Sequence, residues 1–339
     1  MTGTVPRSWR RYGIQGFQCT KHGLQLRLET SEVLDGRRIT ILHDRANVTY
    51  VTVSVRLIRV TFAACDSMTD LDCVTFLQWC LPRLGYRWPG FRKVRAQVCK
   101  RISRRMAELS LPDTNHYRTY LETHSDEWTH LDRCCRVTIS RFYRDRAVFD
   151  SLRDEFLPSL ARQVAKSGRS SVRCWSAGCA SGEEPYTLQM LWQLAVGPST
   201  GLDIQLQISA TDIDSYLLDR AKKAVYPSSS LQGLPDDLVA TAFEYSGSDR
   251  VLTSPFRRNV RWLNQDIRTD SPAGPFDLVL CRNLAFTYFD PSVQTKVIDR
   301  IRSVTRPNGL VVIGSHEGLP PGSEIQFGEL VPCIYERTS

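Results

Sequence analysis

The stretch Val172-Arg-Cys-Trp-Ser-Ala-Gly-Cys-Ala-Ser-Gly-Glu-Glu-Pro-Tyr186 constrains this chain more than any other. A short apolar run, Val172 to Trp175, enters a turn of small residues. Beyond the turn, Tyr186, Leu188, Met190, Leu191 and Leu194 recur at helical spacing. Strand, small-residue turn and helix together form the ligand corner of a doubly wound α/β sheet. Glycine lets a ligand approach backbone there, and the helix start offers unpaired N–H groups. Glu183 and Glu184 follow the turn directly, which suits a ligand with a cationic end better than a pyrophosphate. A sulfonium carrying an α-amino group fits that description.

Downstream, strands and helices alternate. Residues 202–209 read as a second strand running into Asp212, where nucleoside-binding sheets grip ribose hydroxyls with a carboxylate. The structural alternative for Asp212 is a cap on the helix from Ser215 to Ala224. Val260 to Leu263 read as a third strand, Phe276 to Cys281 as a buried fourth, and Leu310 to Gly314 as a fifth. A helix from Gln294 to Val304 and a turn at Pro307-Asn-Gly309 separate the last two. Such alternation specifies an open, mainly parallel sheet covered by helices.

The upstream half differs. From Met68, an apolar stripe of Phe76, Leu77, Cys80, Leu81 and Leu84 stops at Gly85. Phe91, Val94, Val98 and Ile102 mark another helix, whose other faces carry Arg92, Lys93, Arg95, Lys100, Arg101, Arg104 and Arg105 without acids in the run. That basic surface reads either as a solvated face or as a docking site for an acidic partner. Phe149, Leu152, Phe156 and Leu157 form a further amphipathic helix with Pro158 near its end, and residues 166–171 form a polar linker. Residues 1–67 read as an upstream extension or, being Arg-rich and acid-poor at their start, as a transit peptide. Their last part, from Asn47 to Cys65, is β-prone, and Asn47-Val-Thr49 fits a glycosylation sequon.

The 339 residues suffice for two domains, and 42% hydrophobic with 24% charged residues is an ordinary globular composition. No apolar run approaches the ~20 residues of a membrane span. A net charge of +8 permits an acidic partner without specifying nucleic acid. Eleven cysteines, odd in number and without CxxC spacing, predict free thiols in a reducing, cytoplasmic setting and no metal site.

Several of these strings, in order, resemble the CheR family of chemoreceptor glutamate methyltransferases: Trp175 to Tyr186, Ala210-Thr-Asp-Ile-Asp214, Phe276-Asp-Leu-Val-Leu-Cys-Arg-Asn283, Tyr288-Phe-Asp290 and Phe142-Tyr-Arg-Asp145. The resemblance implies a class I methyltransferase, a Rossmann-like α/β sheet preceded by a small all-α domain. The expected divisions are an extension (1–67), a helical domain (68–165) and a cofactor-binding domain (166–339). It implies S-adenosylmethionine as cofactor and S-adenosylhomocysteine as product. Glu183 then faces the amino acid end of the cofactor and Asp212 the ribose, while Asp266 and Ile267 stand near adenine. Ala177, Gly178, Arg282 and Asn283 complete the cofactor contacts. Thr138, Ser140 and Arg144 match an Asn-x-Thr-x-x-x-Arg pattern, with Thr for Asn and Ser for Thr.

The implied reaction is methyl ester formation on a protein glutamate, with Arg144 and Tyr288 as catalytic residues. The partner is an acidic, chemoreceptor-like helical protein docked on residues 92–105. Alternatives are a methyltransferase of the same fold with another acceptor, or an inactive cofactor-binding scaffold or sensor. Two departures stand out. One residue more than the family spacing separates Asn283 from Tyr288, and the segment from Tyr226 to Arg261 is short for the family's inserted β-subdomain, which points to a member without a tethering tail peptide.

Overall fold

A computed structural model describes residues 69–338 and, upstream of them, the backbone of six strands between Thr2 and Val60. Those strands form two three-stranded antiparallel sheets, one of which contains Thr49–Val53 and Arg56–Val60 from the β-prone stretch. Residues 47 and 48 of the sequon lie outside the described residues. The chain divides into two compact units, one of Met1–Phe76 with Arg95–Cys135, the other of Leu77–Val94 with Arg136–Ser339.

Helix α1 (Asp70–Cys80) starts in the first unit and crosses into the second after Phe76; the first unit's other helices are α2 (Arg95–Glu108), α3 (Thr114–Thr123) and α4 (Glu127–Cys135). Helix α2 buries Val98, Ile102 and Met106, spaced four apart and therefore on one face. Asp113 starts α3 by accepting the backbone N–H groups of Asn115 and His116. At the centre, buried Glu127 accepts from Arg105 at 2.7 and 2.9 Å and from the Tyr117 hydroxyl at 2.8 Å. Burial alone would raise this carboxyl, but the bonds from Arg105 and Tyr117 hold it below the usual range.

Two expectations are corrected here. The basic run is compensated by acids from other helices, since Arg95 pairs with Asp70 of α1 and Arg105 with Glu127 of α4. Cys73 and Cys99 form a disulfide, with Cα atoms 5.9 Å apart, where free thiols were expected. Bonding partners from separate helices leave no spacing signature in the sequence.

The second unit is built on a seven-stranded sheet, whose strands are numbered in chain order: β1 (Ser171–Ala177), β2 (Gln205–Asp212), β3 (Val260–Asn264), β4 (Phe276–Leu280), β5 (Thr305–Val312), β6 (Phe327–Val331) and β7 (Ile334–Arg337). Their order is β3-β2-β1-β4-β5-β7-β6, parallel except where β7 pairs with β5 and β6. The order reverses between β1 and β4, so the crevice for a ligand opens at the carboxyl ends of those strands. All five expected strands are present. The turn at 307–309 is a bulge inside β5, with Asn308 at φ 60°. The β6–β7 hairpin was not expected, because its turn at Pro332-Cys333 lacks the usual Gly or Asn.

Helix α5 (Arg146–Ser151) continues through a π-turn into α6 (Leu157–Lys166). Pro158 therefore follows the π-turn inside a continuous helix instead of ending one: Leu157 N–H reaches back to Leu152 O, and the widened turn accommodates the missing N–H of Pro158. Both helices pack with Val172, Cys174 and Leu188 in one apolar core. The span after α8 (Ser215–Lys223) forms a three-stranded antiparallel sheet of Val225–Pro227, Phe243–Ser246 and Asp249–Leu252.

Candidate active site

The corner after β1 is tied to the end of β2. Gly178 (φ 72°) and Cys179 donate to Thr211 O at 2.8 and 3.0 Å, and Ala180 N donates to Asp212 Oδ2 at 2.9 Å. Gly182 (φ 92°) then opens helix α7 (Glu183–Leu191). A Cβ there would lie 2.9 Å from Ala221 and Trp262, so this glycine serves packing of the corner and not ligand approach.

The two acids separate. Glu184 accepts from Ser176 Oγ at 2.7 Å and Arg282 at 3.0 Å. Glu183 is buried, accepts from the Ser181 hydroxyl at 2.9 and 3.1 Å, and interacts with Ser140; burial pushes its carboxyl above the usual range. Asp212 is raised by burial as well, although Asp214 N and Ala180 N each donate to it at 2.9 Å. Each of its oxygens keeps a further lone pair for a hydroxyl. The helix-capping alternative falls to another residue, since Asp214 caps α8 through Tyr216 N.

The remaining expected residues fall around this corner. Thr138 and Ser140 lie half-buried in the loop before α5, and Arg144 donates to Ile139 O at 2.8 Å. Asp266 pairs with Arg268 at 2.8 Å, and Ile267, buried, accepts Arg300 at its carbonyl. Arg282 is almost wholly buried; its guanidinium pairs with Asp145 and Glu184, both at 3.0 Å, and lies over the Phe149 ring. Asn283 donates through its backbone to Glu317 and through its amide to Asp145. Tyr288 ends the one-turn helix Ala285–Tyr288; burial raises its hydroxyl pKa, against the nearby charge of Arg144. Arg144 and Tyr288, 144 positions apart in the chain, thus come within electrostatic reach of one another.

Two residues of this region escaped sequence reasoning. Asp145 takes a left-handed conformation (φ 61°) and joins Arg282, Asn283 and Ser315; burial opposes its ionisation, but these partners hold it below the usual carboxylate range. Glu317 gathers Asn283 N, Leu284 N, Thr287 Oγ1 and Gly314 N. Nothing near Glu317 in the sequence signals this, because three of its four partners lie in residues 283–287, about thirty positions upstream.

A nucleoside with a cationic end fits these groups. The buried Glu183 and the half-buried Asp212 flank the corner, and the buried Gln265 Oε1, beside Asp212 at the end of β3, has no partner in the protein, an acceptor that an amino or hydroxyl group would satisfy. No cluster of His, Cys, Asp and Glu suited to a metal ion occurs among the described residues.

Sheet order, corner and acids define a methyltransferase of the S-adenosylmethionine-dependent class. The chain belongs to the CheR methyltransferase family: residues 138–331 match the family described as CheR methyltransferase, SAM binding domain. It is similar to the chemotaxis protein methyltransferase of Listeria monocytogenes, at 32% identity over 202 residues, covering 60% of this chain and 73% of that protein. The chemotaxis protein methyltransferase of Escherichia coli is 29% identical over 231 residues, covering 66% and 76%. An uncharacterized 104.1 kDa protein of Rhodobacter capsulatus is 30% identical over 222 residues, which make up 66% of this chain but 23% of that protein. S-adenosylmethionine is the cofactor.

Proposed function

We propose that this chain methylates a glutamate side chain of a protein, forming a methyl ester. The observation that carries the reading is the corner that presents Glu183 and Asp212, together with the charge of Arg144 acting on the Tyr288 hydroxyl. S-adenosylmethionine supplies a methyl group on a sulfonium. Asp212 accepts from the ribose, and Glu183 receives the α-ammonium. Asp266 and Ile267 line the adenine side, and Thr138, Ser140, Ala177, Gly178, Arg282 and Asn283 shape the remaining wall.

A glutamate acceptor, with a reference pKa near ~4.3, is already ionised at neutral pH and needs no strong base. The reaction joins an anion to a cation and cancels both charges, so its rate rests on positioning and loss of water. Arg144 offers paired donors to the acceptor carboxylate, and the Tyr288 hydroxyl orients it. The acceptor is an acidic, chemoreceptor-like helical protein met in the cytoplasm. It docks on the basic face of α2, where Lys100 and Arg104 are exposed or partly exposed, without a tail tether. No helix among the described residues is long and apolar enough to cross a membrane.

The test is transfer of labelled methyl from S-adenosylmethionine to a chemoreceptor signalling fragment bearing its glutamates. Label released as methanol by mild alkali is expected. Base-stable label, or none from a protein that binds the cofactor, would sink the glutamate reading.

A further inference from the structure

Helix Ala285–Tyr288 has four residues, too few to hold a helical turn unaided. Its position is set from both ends. At the amino end the Glu317 carboxylate accepts Asn283 N at 2.7 Å, Leu284 N at 3.1 Å and Thr287 Oγ1 at 2.6 Å. The same carboxylate accepts Gly314 N at 2.7 Å, which anchors it just beyond β5. At the carboxyl end Arg87 donates from its guanidinium to Thr287 O at 3.1 Å and to Phe286 O, and from its backbone N–H to Tyr288 O at 2.8 Å. An acid at the start and a cation at the end both match the polarity of the helix backbone. The chain carrying Arg87 lies hard against the turn: a Cβ on Gly90 would stand 2.3 Å from Thr287 O, and the Phe91 ring meets Tyr288 edge-on at 5.3 Å.

We propose that Glu317 and Arg87 are positioning residues for methyl transfer, clamping the one-turn helix at its two ends so that the Tyr288 side chain is held in place. This rests on the reading of Tyr288 given above. It also accounts for a tyrosine kept in place despite the additional residue between Asn283 and Tyr288: two charged anchors, and not chain spacing, set where the turn lies.

The test uses the full chain with Glu317→Gln, Arg87→Met and Tyr288→Phe, alone and combined. In Glu317→Gln an amide NH₂ replaces one acceptor oxygen and faces N–H donors. Each clamp variant is expected to lower kcat on the chemoreceptor fragment about 10- to 100-fold, the scale of a misplaced catalytic group, with affinity for S-adenosylhomocysteine held within about threefold. In the Tyr288→Phe background each is expected to change kcat by no more than about twofold, because residues acting through one group are not additive. Independently of any acceptor, 3-fluorotyrosine in place of Tyr288 is expected to give one ¹⁹F resonance, which shifts or splits in both clamp variants. Thr287→Val, which removes a single donor, is the gentler variant should Glu317→Gln fail to fold, and is expected to shift the resonance too. An unmoved resonance, or clamp losses that multiply with that of Tyr288→Phe, would overturn the clamp. Wild-type kcat in Tyr288→Phe would instead overturn the reading of Tyr288 and with it the catalytic purpose of the clamp.

Discussion

Neighbouring acids take different roles in this chain according to what surrounds them. Glu184 is held by Ser176 and Arg282, whereas Glu183, one position earlier, is buried beside the Ser181 hydroxyl and has a pKa raised by that burial. Asp212 and Asp214 divide in the same way, one at the corner and the other capping α8. On the proposed assignment, cofactor affinity follows the ionisation of Glu183. The carboxyl is neutral below its raised pKa, so affinity is expected to fall as pH drops through mildly acidic values, with proton release on binding there. Calorimetry in two buffers of different ionisation enthalpy checks this. Glu183→Gln is expected to bind about tenfold or more weakly at pH 7, as loss of a hydrogen bond to a charged group implies, and to flatten the pH profile. A profile unchanged by the substitution would remove Glu183 from the ammonium site. Arg144→Ala is expected to abolish turnover while leaving affinity for S-adenosylhomocysteine within about threefold; equal loss of both would show that Arg144 holds the cofactor or the fold.

Among the elements, α2 departs furthest from its sequence pattern. Read alone it is a basic helix, but Arg95 and Arg105 are engaged by Asp70 and Glu127 from other helices, and Cys99 is bonded to Cys73. Removing one partner of a buried pair strands the other, so Glu127→Gln is expected to destabilise the first unit by about 3–5 kcal/mol, read from urea unfolding. The folded pKa of Glu127 is depressed. Its contribution is therefore present above the unfolded value, near 4.5, and is lost as pH falls through the lower folded value. Reduction of the disulfide, which closes a loop across 26 positions, is expected to cost about 3–4 kcal/mol on the loop-entropy account. Peptide mapping without reductant should recover Cys73 and Cys99 joined; recovery of both as free thiols would contradict the bond.

At the scale of the whole molecule, ligand binding belongs to the unit that holds the seven-stranded sheet. A ligand present at 100 times its dissociation constant adds about 2.7 kcal/mol to the folded state it binds. S-adenosylhomocysteine is accordingly expected to raise the thermal unfolding of that unit, and Asp212→Ala to remove most of the rise. The expected strands and the corner after β1 were legible because they rest on local facts: apolar runs, small residues at a turn, an acid at a strand end. The β6–β7 hairpin was not, since its turn residues carry no hairpin signal and its pairing is supplied by β5.

The sequence alone determined the α/β class, the cofactor corner and the family, because each is written in contiguous residues whose spacing matches a helix, a strand or a motif. The tertiary structure decided which of those residues are spent on one another. It buried Arg282 between Asp145 and Glu184, gave Glu317 donors from residues 283–287 as well as from Gly314, and closed Cys73 onto Cys99. The physical reason is distance along the chain: partners that meet only when a sheet and its helices close obey no periodicity, and burial changes the charge preference of each group only after they have met.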